Sequence, residues 1–124
     1  MSKKRILVIE DDTYTRELYE EVLKEANFEV VTALDGEEGL AKAKEGGYDL
    51  ILLDIMMPKL DGLEVLRSLK ENKPEKKNGP IIVLTNLAHD PVIREAINLG
   101  ATSYLIKTDL NPDQLIKEVK GFLK

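Results

Sequence analysis

Leu50-Ile51-Leu52-Leu53-Asp54 runs four aliphatic residues straight into an ionisable aspartate. The apolar part reads as a strand buried on both faces, as in a parallel sheet covered above and below. Asp54 then stands where that strand leaves the core, and a carboxylate in such a place is costly unless it has partners or a task. Two further runs end in the same way. Leu7-Val8-Ile9 passes into Glu10-Asp11-Asp12, and Ile81-Ile82-Val83-Leu84 passes into Thr85.

Between these runs the pattern changes to helical periodicity. A first strand over Ile6 to Ile9 is followed by a helix capped by Asp12 or Thr13, with Leu18, Val22 and Ala26 on one stripe and Leu23 beside it. Asn27 suits a left-handed stop. A second strand is expected over Phe28 to Ala33, and Asp35 with Glu38 opens a second helix in the manner of a capping box. Gly46-Gly47 ends that helix, and Tyr48 to Leu53 forms the third strand. Asp54 to Leu60 is a loop in which Pro58 bars a regular continuation. Asp61 and Glu64 start a third helix with Leu63, Leu66 and Leu69 inward. The lysine-rich stretch from Glu71 to Gly79 reads as a solvated loop whose charges serve solubility. Pro80 to Thr85 is the fourth strand, and Asp90-Pro91 caps a helix that ends at Leu99-Gly100. Thr102 to Ile106 is the fifth strand, and Asn111-Pro112 with Gln114 opens a last helix carrying Leu115, Ile116, Val119, Phe122 and Leu123.

Five strands alternating with five helices demand crossover connections. The fold class is therefore α/β, a doubly wound five-stranded parallel sheet with helices on both faces. At 124 residues the chain is one domain, spanning 1–124. It contains no cysteine, which excludes disulfides and thiolate metal sites and makes the cytoplasm the simplest compartment. The apolar run after the basic start is too short for a signal-peptide core, and no run approaches the ~20 residues of a membrane span. A net charge of -5 argues against nonspecific nucleic-acid binding.

In open parallel sheets the working residues lie at the carboxyl ends of the strands. Glu10, Asp11, Asp54, Thr85 and Lys107 all occupy such ends. Three carboxylates brought together repel one another unless a cation neutralises them. Oxygen-only donors in a small open cluster suit Mg2+, and with no histidine or cysteine at the strand ends zinc is disfavoured. Asp54 is a candidate nucleophile for a phosphoryl group, with the Thr85 hydroxyl as donor and Lys107 as a point charge for the transferred oxygens. Each residue has a plainer reading when taken alone. Asp12 is a helix cap, Glu10 and Asp11 are turn acids, Lys107 is a surface lysine, Tyr104 is an amphipathic core residue and His89 is a loop histidine. The combination on successive strands is what points to chemistry.

With those residues in place, the chain resembles the receiver domain of two-component response regulators over nearly its whole length. The resemblance is carried by Ile6-Leu7-Val8-Ile9-Glu10-Asp11, by Leu53-Asp54-Ile55-Met56-Met57-Pro58 with Asp61-Gly62, by Pro80 to Thr85, and by Gly100-Ala101 through Tyr104-Leu105-Ile106-Lys107. It implies the flavodoxin-like strand order 2-1-3-4-5. It implies a signalling switch rather than a turnover enzyme, in which Asp54 accepts a phosphoryl group from a sensor histidine kinase or phosphotransfer protein. Asp11, Asp54 and the Met56 backbone carbonyl would hold Mg2+, with Glu10 acting mainly through water. Thr85 and Lys107 would hold the phosphoryl oxygens. Asn86, where relatives usually carry a very small residue, would crowd that site or add a donor. Thr85 moving toward the phosphate, with Tyr104 turning inward, would be the switch. The face built from the fourth helix, fifth strand and fifth helix would meet a downstream protein target, and a phosphorylation-dependent homodimer is a further partner state. Neither a membrane nor nucleic acid is an expected direct partner.

Relatives usually follow the lysine with proline, often in a cis peptide, whereas Thr108 stands here. A cis bond before a non-proline residue costs ~3–4 kcal/mol, so a trans Lys107-Thr108 bond and a shifted loop are expected. Met56 and Leu87, two residues beyond Asp54 and Thr85, cannot orient an attacking water, which implies slow self-dephosphorylation that a Met56→Asn, Leu87→Glu variant would speed up. Repulsion among the metal-free acids implies that Asp11→Asn raises the melting temperature. The alternative function is a receiver-like scaffold that binds partners without phosphorylation. A haloacid-dehalogenase-type phosphatase needs aspartates spaced by one residue after the first strand, and Glu10-Asp11-Asp12 does not supply them. A nucleotide or flavin binder wants a glycine- or hydroxyl-rich first loop, where Glu10-Asp11 would repel phosphate.

Overall fold

A computed structural model of the chain describes residues 3–57, 59–86 and 91–123. Its strands are β1 (Arg5–Ile9), β2 (Glu29–Ala33), β3 (Leu50–Asp54), β4 (Ile81–Thr85) and β5 (Ser103–Ile106). Its helices are α1 (Thr13–Glu25), α2 (Gly36–Glu45), α3 (Gly62–Glu71), α4 (Pro91–Asn98) and α5 (Pro112–Phe122), with a 3-10 turn over Lys107–Asp109. All strand pairings are parallel and the order is β2-β1-β3-β4-β5, as the resemblance implies.

The aliphatic runs build this arrangement because side chains alternate across a strand. Ile6, Val8, Leu50, Leu52, Ile82 and Leu84 point to one face and are covered by Tyr19, Val22 and Leu23 of α1 and by Leu115 and Val119 of α5. Leu7, Ile9, Ile51, Leu53 and Val83 point to the other and meet Ala43 of α2, Val65, Leu66 and Leu69 of α3, and Ala96 of α4. Both faces of β1 and β3 are thus dry, which is why neither strand shows a polar alternation.

Helix starts follow the capping residues. Asp12, Asp35, Asp61 and Asn111 each accept the backbone N–H three residues on, at 2.9, 2.8, 3.0 and 2.8 Å. Glu38 reaches back one residue past the cap, its Oε1 accepting the Leu34 N–H at 2.8 Å in place of the Asp35 N–H of a capping box. Asn27 stops the chain after α1 with φ 75°, the left-handed conformation its side chain tolerates. The strands β2, β3, β4 and β5 start one or two residues later than the apolar pattern suggests, although Pro80 O and the Thr102 N–H already bond to the neighbouring strand. The expected Asp90 cap and the Pro58 stop lie outside the described residues, as do Leu87 and His89. No described helix is long and apolar enough to cross a membrane.

Candidate functional site

The carboxyl ends of β1 and β3 lie side by side because the two strands pair in register from Ile6↔Leu50 to Ile9↔Leu53. The residues that follow, Glu10 and Asp54, are therefore neighbours. Carboxylate oxygens of Glu10, Asp11 and Asp54 come within 4.8 Å of one another. Glu10 and Asp54 are buried and Asp11 is exposed at the mouth. Thr85 closes β4 one register step beyond the Asp54↔Leu84 pair and is buried, and it pairs across the ladder with Ile106. This last pairing delivers Lys107, the next residue, to the same edge.

Lys107 reaches in between the two buried acids. Its Nζ lies 2.5 Å from Glu10 Oε1 and 3.0 Å from Asp54 Oδ2. The Lys107–Thr108 bond is trans, in keeping with the expectation, and the 3-10 turn that begins at Lys107 carries the lysine far enough. The Lys107 ammonium is thus the partner of Glu10 Oε1. Glu10 Oε2 accepts the Asp12 N–H at 3.0 Å. Asp54 Oδ1 accepts the Met56 N–H at 3.2 Å, while the Met56 side chain is exposed.

Burial and the neighbouring Glu10 carboxylate push the Asp54 carboxyl up to about 8, with Lys107 opposing the rise. Burial alone would lower the Lys107 ammonium, but Glu10 and Asp54 outweigh it and hold it above the ordinary lysine value. Two buried acids thus share one internal cation. Three carboxylates converging within 4.8 Å, an all-oxygen donor set, fit a hard divalent ion.

Several features here carry no signal in the sequence. Arg16, one turn into α1, donates from Nη1 to the carbonyls of Glu10 at 3.0 Å and Asp11 at 3.3 Å, and so braces the loop that presents both acids. Tyr19 is buried and shares a cleft of about 380 Å³ with Asn86 and Lys107. The Tyr19 hydroxyl rises above its ordinary value through burial, offset by Lys107. Gly62 has a packing role. A Cβ there would sit 2.8 Å from Ile55 Cα and 2.9 Å from Asp54 O, and its N–H donates to Ile55 O at 3.0 Å. Gly36 closes the same rim, since a Cβ would collide with the Leu60 carbonyl. Tyr104 is 38% exposed on β5, and Asn86 is likewise exposed.

The comparisons with known proteins agree with this geometry. A family model described as the response regulator receiver domain matches residues 6–120. The transcriptional regulatory protein ResD of Bacillus subtilis is 36% identical over 123 residues, covering 99% of this chain and 49% of its own length. The chain therefore spans about half the length of that relative. The chemotaxis response regulator CheY4 of Vibrio cholerae superposes with a TM-score of 0.88 at 32% identity, covering 98% of this chain and 100% of its own. The response regulator TrrA of Thermotoga maritima, solved in complex with Mg2+–BeF, gives a TM-score of 0.80 at 40% identity, covering 97% of this chain and 99% of its own.

Proposed function

Since the chain belongs to the response regulator receiver domain family of two-component signalling, we propose that it is a phosphorylation-controlled switch whose acceptor is Asp54. The observation that carries the reading is the placement of Lys107 between Glu10 and Asp54, at 2.5 and 3.0 Å. A lysine so placed neutralises the acids at rest and stands ready for phosphoryl oxygens.

The donor is a phosphohistidine on a sensor kinase or phosphotransfer protein. An Asp54 carboxylate oxygen attacks the phosphorus, the new P–O bond forms as the donor P–N bond breaks, and the electron pair leaves with the imidazole. Lys107 lets go of Glu10 and pairs with a phosphoryl oxygen, and the Thr85 hydroxyl donates to another. Asn86, exposed beside Lys107, offers a further donor at the rim. Asp11, Asp54 and the Met56 carbonyl are the residues to hold Mg2+, with Glu10 acting mainly through water. That ion, when bound, offsets the acids and the charge on the transferred oxygens.

Readout follows from Thr85 drawing toward the phosphoryl group and Tyr104, now outward, turning in. The surface of α4, β5 and α5 then changes for a downstream protein or a second copy of the chain. The cytoplasm, where a kinase domain can reach it, is the compartment this reading requires. The scaffold alternative rested on Thr108 displacing the lysine, and the reach of Lys107 to Asp54 favours phosphorylation instead. Beryllofluoride with Mg2+ separates the two. Amide shifts at Thr85, Tyr104 and α4 are expected in the native chain and not in Asp54→Ala. A spectrum unmoved by beryllofluoride leaves only the scaffold.

A further inference from the structure

At the opposite end of the sheet from Asp54, the amino end of β4 opens into a cavity of about 550 Å³. That volume falls within the ~300–1,000 Å³ of small-molecule sites. Its floor is apolar, formed by Leu66 and Leu69 of α3, Ile81 at the start of β4 and Leu99 after α4. Ile81 and Leu99 are only partly buried, so the core on this face is left uncovered there.

The wall is built in advance. The Glu71–Gly79 stretch is the solvated loop its composition suggests, and its last three residues are also tied to the fold. The Gly47 N–H donates to Lys77 O at 3.2 Å and the Gly79 N–H to Tyr48 O at 2.7 Å. The Tyr48 N–H donates to Asn78 Oδ1 at 3.1 Å, and Asn78 Nδ2 donates to Ala43 O at 2.9 Å. A Cβ at Gly79 would collide with the Asp49 carbonyl, so the close approach needs glycine. A pinned loop loses little entropy when something binds against it.

The mouth is cationic although the chain is acidic. Lys70, Lys73 and Lys77 line it with Glu75 as the single acid. Lys70 is engaged with the Asn98 carbonyl at 3.2 Å. The Lys73 and Lys77 ammonium groups make no ion pair or hydrogen bond with a described residue. We propose that this cavity is a second binding site, for a small amphiphilic anion whose apolar body covers Ile81 and Leu99, above the buried Leu66 and Leu69, and whose acidic group meets Lys73 and Lys77. A concave, preformed pocket of this size favours a small molecule over a peptide, which would want a longer groove.

The test uses 8-anilinonaphthalene-1-sulfonate as the anionic probe and N-phenyl-1-naphthylamine, the same rings without the charge, as its neutral counterpart. In the native chain the anion is expected to bind at one site, with amide shifts centred on Leu69, Ile81 and Leu99. The double variant Lys73→Gln, Lys77→Gln is expected to weaken the anion about tenfold, as two exposed charge pairs would, and the neutral probe less than twofold. Thr102→Trp, at an exposed lining position whose backbone bond to Ile81 O it keeps, fills the cavity and abolishes binding of both. A dispersed amide spectrum shows that each variant is folded. The inference fails if the shifts centre on the Asp54 end or on Tyr104, if no site saturates at millimolar probe, if the lysine variant binds both probes as the native chain does, or if folded Thr102→Trp still binds.

Discussion

At the amino end of β3, Asp49 Oδ2 accepts the Arg5 N–H at 2.7 Å, and Asn78 spans from the Tyr48 N–H to the Ala43 carbonyl. At the carboxyl end of the same strand, Asp54 faces Glu10 across a single lysine, with Asp11 close by. Polar groups at the first end are matched to partners of the opposite kind, which stabilises the fold. At the second end like charges are gathered in a buried place, which does not. Such a conflict is the mark of a site that acts on something brought to it.

Breaking the matched end has the largest expected effect. Asn78→Ala leaves the Tyr48 N–H and the Ala43 carbonyl without their bonds and costs about 2–3 kcal/mol. The melting temperature falls by roughly 6–12 °C, while the Mg2+ dissociation constant stays within about twofold of native, since the ends share no partner. A large change in metal affinity would join two regions described above as independent.

Relieving the conflicted end moves stability the other way. Asp54, raised from 3.8 to about 8 in the fold, binds a proton that the unfolded chain gives up. Its contribution is fully present below the unfolded value and is lost as pH rises toward 8. In metal-free protein Asp54→Asn is therefore expected to gain on the native chain between pH 5 and pH 8, ending several degrees more stable, about 1–2 kcal/mol. A constant difference across that range sinks the assignment. The gain expected from Asp11→Asn is smaller, because Asp11 is exposed and its charge is screened.

Lys107→Gln sharpens the comparison from within the site. Removing the internal cation strips the acids of their only described counter-ion at that spot, so Mg2+ should bind about tenfold tighter by calorimetry, a difference of about 1.4 kcal/mol. Weaker binding would mean that Lys107 supports the metal and does not compete with it. The smallest effect belongs to the rim. Lys59 is held at φ 67° and pairs with Asp35 at 3.6 Å. Lys59→Gly relieves the left-handed backbone at the expense of chain entropy and of the partner of the buried Asp35, so the terms oppose and the net change is expected to stay within about 0.5 kcal/mol.

The sheet and the candidate site were legible because both faces of β1, β3 and β4 are buried, so aliphatic runs mark the strands and the polar residue ending each run marks the carboxyl edge. Helix starts were legible through Asp12, Asp35, Asp61 and Asn111, whose caps are local chemistry. The pinning of the Asn78 loop, the brace from Arg16 and the insertion of Lys107 between Glu10 and Asp54 were not. Each joins residues whose meeting is decided by how the elements pack, and Arg16 or Asn78 alone has no period or spacing that sets it apart from a surface residue. The lysine-rich loop is solvated, as its composition indicates, but composition records its charge and not the bonds that hold Lys77 to Gly79.

The central claim is tested most directly by incubating the native chain, Asp54→Ala and Lys107→Gln with a panel of phosphorylated histidine kinases, with and without Mg2+, and locating the label by peptide mass. One phosphoryl group on the peptide bearing Asp54, dependent on Mg2+ and absent from Asp54→Ala, is the predicted result. Label retained by Asp54→Ala, or label on another residue of the native chain, would contradict it.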